Sequence, residues 1–143
     1  MNLLMFVLSL FVFNSSGISD CGTKPIFTIV SQNFEPSSPK AGDNVSWTID
    51  YTVPDGVEIK SGLTINSGTV NGFIPINPTE SDLCTVVECP ILPGKYSSSS
   101  YQTWPDGLTG TKIALTSEWV DDSNNQLLCS KVNVIGAGYL RRN

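Results

Sequence analysis

The four cysteines constrain the fold of this chain more than any other feature of its sequence. Cys84 and Cys89 lie five residues apart, next to a proline and close to a glycine, a spacing typical of a disulfide that closes a hairpin-like corner. Four cysteines allow three pairings, and the locally easy bond between Cys84 and Cys89 leaves Cys21 for Cys129. A small domain tied at its margins in this way needs no covalent link through its centre, so its middle is free to hold a guest molecule.

The beginning of the 143-residue chain differs in composition from the rest. An early apolar run, broken only by one serine, precedes small and polar residues, and all 21 charged side chains (8 basic and 13 acidic) lie at Asp20 or later. A run of this length is too short to span a bilayer and is typical of a secretory signal peptide. We predict a signal peptide over 1–19, cleaved after Gly17 or Ser19, and one domain over 20–143. A buried N-terminal helix is the alternative interpretation.

Export would place the cysteines in an oxidising compartment, where disulfides are their expected state. We therefore expect a secreted protein or one of the lysosomal or endosomal lumen. A zinc site is the alternative for four cysteines, but their spacing does not fit one and the chain has no histidine. Asn44 begins the glycosylation sequon Asn44-Val45-Ser46, so we predict that it faces solvent and carries a glycan.

The charge pattern narrows the possible partners and activities. A net charge of −5 without a basic stripe argues against nucleic acid and against strong electrostatic docking to anionic membranes. Without histidine, a Ser-His-Asp or Cys-His catalytic arrangement cannot form. Asp121 and Asp122 could act as a carboxylate pair, but the Ser-Asn-Asn sequence that follows them favours a hairpin turn. We expect no catalytic residue, no metal and no cofactor.

After residue 20 the apolar residues recur with the two-residue period of β-strands, and no helical period is sustained. The clearest strand, 45–53, is apolar at each odd position and polar at each even one. A strand at 70–76 is expected to be halted by prolines, and the serine-rich 96–104 to lie at a sheet edge. The seven strands predicted cover 25–31, 45–53, 57–65, 70–76, 96–104, 111–120 and 126–135. They indicate an all-β, immunoglobulin-like two-sheet β-sandwich.

The cysteine layout differs from that of an ordinary immunoglobulin domain, in which a disulfide joins the central strands of the two sheets. Here the clear strand 45–53 contains no cysteine. We hypothesise that the sheets splay apart and enclose an apolar cavity between them. The alternative is an adhesive sandwich whose inward-facing side chains fill the core by packing on one another.

Several segments together resemble a known family. They are Asp20-Cys21-Gly22, Cys89-Pro90-Ile91 with Pro93-Gly94, Ser117-Glu118-Trp119-Val120-Asp121-Asp122, and Gln126-Leu127-Leu128-Cys129. In these segments the chain resembles the ML lipid-recognition domain, a family that includes the Niemann–Pick type C sterol carrier and the phosphatidylglycerol/phosphatidylinositol transfer proteins. The resemblance covers 20–135 and implies a lipid between two sheets and the same disulfide pairing. A third, early disulfide found in many members is missing here.

The resemblance also implies where the mouth of the cavity lies. One rim segment would be 73–78, a proline-rich stretch that includes apolar residues, and the other would be 104–108. The aromatic residue of the sterol carrier near the second segment has no clear counterpart, as Gly110 or Thr111 falls nearest. This departure weakens the implication that a sterol is the cargo.

We therefore predict a lipid-binding and lipid-transfer protein that carries a phospholipid or a sterol, contacts membranes transiently and works as a monomer. The alternative is an accessory or sensing module that presents lipid to a protein partner. The predicted lipid-contacting residues are Trp47, Ile49, Ile65, Val70, Phe73, Ile74, Ile76, Trp104, Leu108, Ile113, Leu115 and Trp119. Lys24, Lys95 and Lys112 are the candidates for contact with an anionic head group.

Overall fold

A computed structural model describes residues 17–137, which form eight β-strands and one 3-10 turn. The strands are β1 (Ile18–Asp20), β2 (Thr28–Glu35), β3 (Asn44–Val53), β4 (Gly62–Val70), β5 (Ile74–Asp82), β6 (Gly94–Thr103), β7 (Lys112–Asp121) and β8 (Gln126–Ile135). The 3-10 turn spans Leu83–Thr85, between β5 and β6. Most of the predicted signal peptide and the last six residues lie outside the described range. Within that range no helix is long and apolar enough to cross a membrane.

The strands form two antiparallel sheets, which confirms the two-sheet β-sandwich. The larger sheet has the order β1-β8-β7-β4-β5, and the smaller one has the order β2-β3-β6. β5 and β6 are each the last strand at one edge of their sheet. The serine-rich strand is therefore an edge strand, as its composition indicates.

Alternation along β3 sets the register of the smaller sheet as predicted. Val45, Ile49, Tyr51 and Val53 are buried, whereas Asn44, at the start of the strand, is exposed. Because successive side chains of a strand point to opposite faces, the sequon asparagine lies on the solvent side.

The first strand of the smaller sheet, β2, begins later in the chain than the sequence pattern predicts. The backbone N–H groups of Ile26 and Phe27 donate to the carbonyls of Gln126 and Leu127, at 3.1 and 2.8 Å. These two residues therefore pair with the larger sheet before the chain crosses to form β2. The predicted strand 25–31 is thus shifted, and Phe34, which the sequence placed in a loop, becomes a buried strand residue.

The predicted strand at 70–76 is wrong, because a hairpin turn interrupts it. Asn71 and Gly72 both have positive φ, 55° and 84°, and Asn-Gly is a strong hairpin signal. β5 then runs through Pro75 and Pro78, which an edge strand accommodates because it has one free side.

The interior divides into two hydrophobic clusters at opposite ends of the sandwich. The first, which we call the closed half, contains Phe27, Ile49, Tyr51, Val53, Ile59, Leu83, Ile91, Trp119, Leu127 and Leu128. The second, which we call the open half, contains Phe34, Val45, Trp104, Ile113, Val132 and Val134.

Aromatic rings fill the space between the sheets in the closed half. Tyr51 stacks on Phe27 at 5.4 Å and on Tyr96 at 5.6 Å, and it meets Trp119 edge-on at 5.2 Å. Burial, reinforced by the neighbouring Tyr96 hydroxyl, raises the pKa of Tyr51 to about 12. The two sheets are therefore in direct contact here.

Both disulfides belong to the closed half. The long disulfide joins Cys21 to Cys129, and the short disulfide joins Cys84 to Cys89, which is the pairing expected from the sequence. Cys89 packs against the closed-half cluster, and Cys129 pairs in register with Glu118, next to Trp119. The hypothesis of two tied margins with a gap between them is thus corrected: one end is closed, and the other is open.

Candidate functional site

A cavity of about 510 Å³ lies between the sheets in the open half. It is lined by Phe34, Val45, Trp47, Asn66, Ser67, Val70, Ile76, Asn77, Thr79, Ser100, Gln102, Trp104, Pro105, Leu108, Ile113, Leu115 and Thr116. None of these described lining residues carries a charge. The volume falls within the range of about 300–1,000 Å³ typical of sites for small organic ligands.

The apolar wall of the cavity is built from the strands that cross the middle of each sheet. β3 supplies Val45 and Trp47, and β7 supplies Ile113 and Leu115 on the facing sheet. Gly68 of β4 lies opposite Leu115, and a side chain there would collide with a β7 carbonyl at 2.4 Å. On the larger sheet the wall therefore consists of the medium-sized side chains of Ile113 and Leu115.

Trp47 forms the boundary between the two halves, because it packs against both clusters. Its indole N–H donates to the hydroxyl of Ser130 at 3.2 Å, and that hydroxyl donates in turn to the side-chain carbonyl of Gln32. Ser130 is fully buried, so this chain of hydrogen bonds satisfies polar groups in an apolar setting. The ring is thereby held in one orientation as the inner end of the cavity.

Aromatic contacts continue from Trp47 toward the outer end of the cavity. Phe34 meets Trp47 edge-on at 6.0 Å and Trp104 edge-on at 6.4 Å. The Trp104 indole N–H is buried and has no hydrogen-bond partner among the described residues. These three rings make one side of the cavity stiff and apolar.

Most of the exposed polar residues in the lining lie along the two edge strands, and the other polar lining residues are Asn66 and Ser67 on β4 and Thr116 on β7. Asn77 and Thr79 on β5, and Ser100 and Gln102 on β6, line the cavity and are exposed to solvent. The cavity therefore has a wet side along β5 and β6 and a dry side at β3 and β7. An amphiphilic guest can keep its polar group in water there while its hydrocarbon lies against the apolar wall.

The structure brings most of the predicted lipid-contacting residues together. Those that line the cavity are Trp47, Val70, Ile76, Trp104, Leu108, Ile113 and Leu115. Ile49 and Trp119 instead belong to the closed-half core, where other side chains fill the space around them. Phe73 and Ile74 lie on the β4–β5 hairpin with 77% and 49% of their surface exposed, outside the cavity.

Ile65 is the remaining predicted contact, and it lies on the wrong face of its strand. It pairs in register with Glu118 and Glu80, while its neighbour Thr64 pairs with Trp119 and is buried. The inward positions of β4 include Thr64 and Gly68, whereas its apolar residues Leu63 and Ile65 lie on the outer face. In this part of β4 the sequence pattern is therefore the reverse of the usual one, and only Val70 at the end of the strand is both apolar and in the cavity lining.

The predicted set lacks the polar lining residues and three apolar ones, Phe34, Val45 and Pro105. The polar residues carry no signal of their own, because serine and threonine are also common on solvated strands. Phe34 could have been found by extending the alternation of β2 toward Glu35. The candidate head-group lysines Lys24, Lys95 and Lys112 are not among the described lining residues.

Asp121 serves the hairpin between β7 and β8. Its carboxylate accepts hydrogen bonds from the backbone N–H groups of Ser123 and Asn125, at 2.9 and 2.8 Å. Partial burial opposes ionisation, but these bonds together with one from the Asn125 amide outweigh it and lower the pKa of the Asp121 carboxyl. The carboxylate is thus held by the turn, as its sequence context indicates.

A two-sheet sandwich with an uncharged cavity between its sheets defines a class of small binding proteins. The family model of the ML domain matches residues 15–135, and the chain belongs to this family of lipid-binding proteins. No curated protein sequence matches the chain significantly.

Solved structures share this fold at low sequence identity. A Niemann-Pick type C2 protein from Japanese carpenter ant superimposes with a TM-score of 0.65 and 13% identity, covering 82% of this chain and 96% of its own. Chicken MD-1, solved in complex with lipid IVa, gives a TM-score of 0.61 and 11% identity, covering 85% of this chain and 88% of its own.

Proposed function

We propose that this protein binds one lipid molecule in the open-half cavity and transfers it between membranes. The observation that carries the proposal is the cavity itself, which is uncharged, apolar on its inner side and wet along β5 and β6. Membership of the ML domain family supports a lipid as the ligand. The lipid IVa bound to chicken MD-1, which has a similar fold, is a second support.

The physical task of a carrier explains why a dry wall is needed. Taking the roughly 15 methylenes of one acyl chain out of water is worth roughly 12 kcal/mol, at about 0.8 kcal/mol each. A carrier must offer the hydrocarbon an environment as apolar as the bilayer interior, because otherwise the lipid remains in the membrane. Trp47, Ile113 and Leu115 provide such a surface, so transfer is close to thermoneutral and its direction follows concentration.

The size of the cavity limits the cargo. At about 30 Å³ for a group the size of a water molecule, the cavity of about 510 Å³ has room for roughly 17 such groups. That capacity suits one acyl chain or a compact sterol body. A phospholipid with two long chains fits only if the sheets move apart or one chain stays outside.

The uncharged mouth bears on head-group choice. Asn77, Thr79, Ser100 and Gln102 offer amides and hydroxyls, which can hydrogen-bond a phosphate or a sterol hydroxyl without supplying positive charge. We therefore expect little preference for anionic phosphatidylglycerol or phosphatidylinositol over zwitterionic phosphatidylcholine.

The compartment follows from the covalent chemistry. Two disulfides suit an oxidising environment, and the predicted signal peptide supplies a route to it. We propose secretion or delivery to the lysosomal or endosomal lumen. The exposed Asn44 is accessible for the proposed glycan.

The function is tested by loading the purified protein from vesicles. Vesicles containing phosphatidylcholine, phosphatidylglycerol, phosphatidylinositol or sterol are incubated with the protein, which is then separated and weighed by native mass spectrometry. We expect a one-to-one complex with at least one of these lipids. A protein that stays free of lipid with every vesicle composition contradicts the proposal.

A further inference from the structure

We propose that the tip of the β4–β5 hairpin, residues 71–74, docks the protein onto the surface of a zwitterionic phospholipid bilayer. This inference rests on the proposed function, because it assigns the surface through which lipid would enter and leave. Phe73 and Ile74 at this tip do not line the cavity, so a negative result for membrane docking would not contradict lipid binding in the cavity.

The tip carries apolar side chains that do not pack in either hydrophobic cluster. Phe73 is 77% exposed, the highest value among the exposed large hydrophobic residues of the described chain, and its neighbour Ile74 is 49% exposed. Neither residue belongs to the two hydrophobic clusters or to the partly buried groups around them. An exposed aromatic beside an exposed isoleucine is typical of a contact surface.

The hairpin presents these side chains on a well-defined turn. Asn71 and Gly72 have positive φ, and the backbone N–H of Phe73 donates to the carbonyl of Val70 at 3.3 Å. Asn71 is also tied to β7: its N–H donates to the carbonyl of Lys112 at 2.6 Å, and its side-chain oxygen accepts from the Lys112 N–H at 3.1 Å. The tip is thus anchored to the larger sheet at its base.

The tip is continuous with the cavity. Val70, before the turn, and Ile76, after it, both line the cavity. Val70 pairs in register with Ile74, so the exposed tip begins directly beyond the cavity wall. A bilayer in contact with Phe73 would therefore lie against the open half, and a hydrocarbon chain would have a short path between the two.

Charge and size favour a zwitterionic bilayer over a protein partner. Residues 61–79 contain no charged side chain, although the chain has 21. Burial of such a segment against uncharged lipid leaves none of its own side chains as an unpaired ion. The exposed Lys112 at its base is a single basic residue and not the basic cluster that anionic lipid attracts. Two exposed side chains also fall far short of the roughly 1,000 Å² that a stable protein interface buries, whereas they suit weak, reversible insertion into a bilayer interface.

Vesicle flotation with a double variant tests the docking surface. Phe73→Ser with Ile74→Ser removes the apolar tip, and Val30→Ser with Tyr101→Ser is the matched control, because these residues are 66% and 69% exposed elsewhere. We expect the tip variant to bind phosphatidylcholine vesicles at least about tenfold more weakly, a change of about 1.4 kcal/mol, and the control to bind like wild type. Wild-type binding should change little when phosphatidylglycerol is added.

A second measurement separates docking from lipid binding. A fluorescent fatty acid, supplied below its micelle concentration, reaches the cavity without any membrane. The tip variant should take it up like wild type while losing vesicle-to-vesicle transfer. Unchanged vesicle binding by the tip variant, absence of vesicle binding by wild type, or a requirement for anionic lipid overturns the docking proposal. Failure of wild type to take up the fatty acid instead contradicts the proposed function.

Discussion

Replacement of Leu115 by aspartate places a carboxylate in the cavity wall and should abolish tight lipid binding. Leu115 is half-buried on β7 and faces the empty space between the sheets. In the unloaded protein, water in the cavity can hydrate the new carboxylate, so we expect the fold to persist. A bound hydrocarbon chain would displace that water.

The cost of loading can be estimated because the buried carboxyl can take up a proton. A free aspartate has a pKa of about 3.9, and protonating it at pH 7 costs about 4.2 kcal/mol at about 1.36 kcal/mol per pH unit. The affinity for lipid should therefore fall roughly a thousandfold at pH 7. At pH 5 the same step costs about 1.5 kcal/mol, so the loss should shrink to about tenfold.

The assay is titration with a fluorescent fatty acid at pH 5 and pH 7. Leu115→Asn is the matched control, because it has nearly the same shape as aspartate but cannot ionise, and it should show no comparable pH dependence. Val30→Asp puts the same charge on an exposed position and should bind like wild type. If Leu115→Asp is folded and binds lipid as tightly as wild type at pH 7, the assigned cavity does not hold the ligand.

Three further predictions concern stability and processing. Replacing both cysteines of the short disulfide by serine should cost about 2 kcal/mol of unfolding free energy, and the same change in the long disulfide about 4.7 kcal/mol; urea denaturation that gives the reverse order refutes this estimate. Burial raises the pKa of Tyr51 to about 12, above the ordinary value of 10.0. The stability linked to this shift is fully present below pH 10.0 and is lost as the pH rises through about 12. Absorbance titration should show a tyrosine signal that ionises only near pH 12, and the absence of such a late signal contradicts the burial of Tyr51. Signal peptide cleavage should leave Ile18 as the first residue, because Ile18–Asp20 pair with β8. N-terminal sequencing that finds Asp20 first would contradict this prediction and show that β1 is not retained.

The sequence could predict the parts of the fold in which apolar residues mark the inner face. β3 alternates from Val45 to Val53, and β8 runs from Gln126 to Ile135 as its pattern indicates. The cysteine spacing predicted the disulfides because one pair was local.

β4 could not be read in the same way. Two of its inward positions, Thr64 and Gly68, are small or polar, since the facing strands and the cavity occupy the space. β5 was missed because its prolines are compatible with an edge strand but not with a central one.

The position of the cavity within the sandwich depends on which side chains face each other across the two sheets, and the strand pattern of the sequence does not give this pairing. Trp119 and Leu115 lie on the same face of β7, and both seemed equally able to contact a lipid. The structure places Trp119 against Tyr51, where rings fill the gap, and Leu115 against the cavity. Which inward residue meets a guest therefore depends on the size of the side chain across from it on the other sheet.

Photocross-linking tests the central claim most directly. A phosphatidylcholine with a diazirine near the middle of one acyl chain is loaded into the protein, activated with light, and mapped by peptide mass spectrometry. The account predicts cross-links in the peptides that contain Trp47 and Leu115, in the open half. Cross-links confined to the closed half or to the outer faces of the sheets would contradict a lipid held between the sheets.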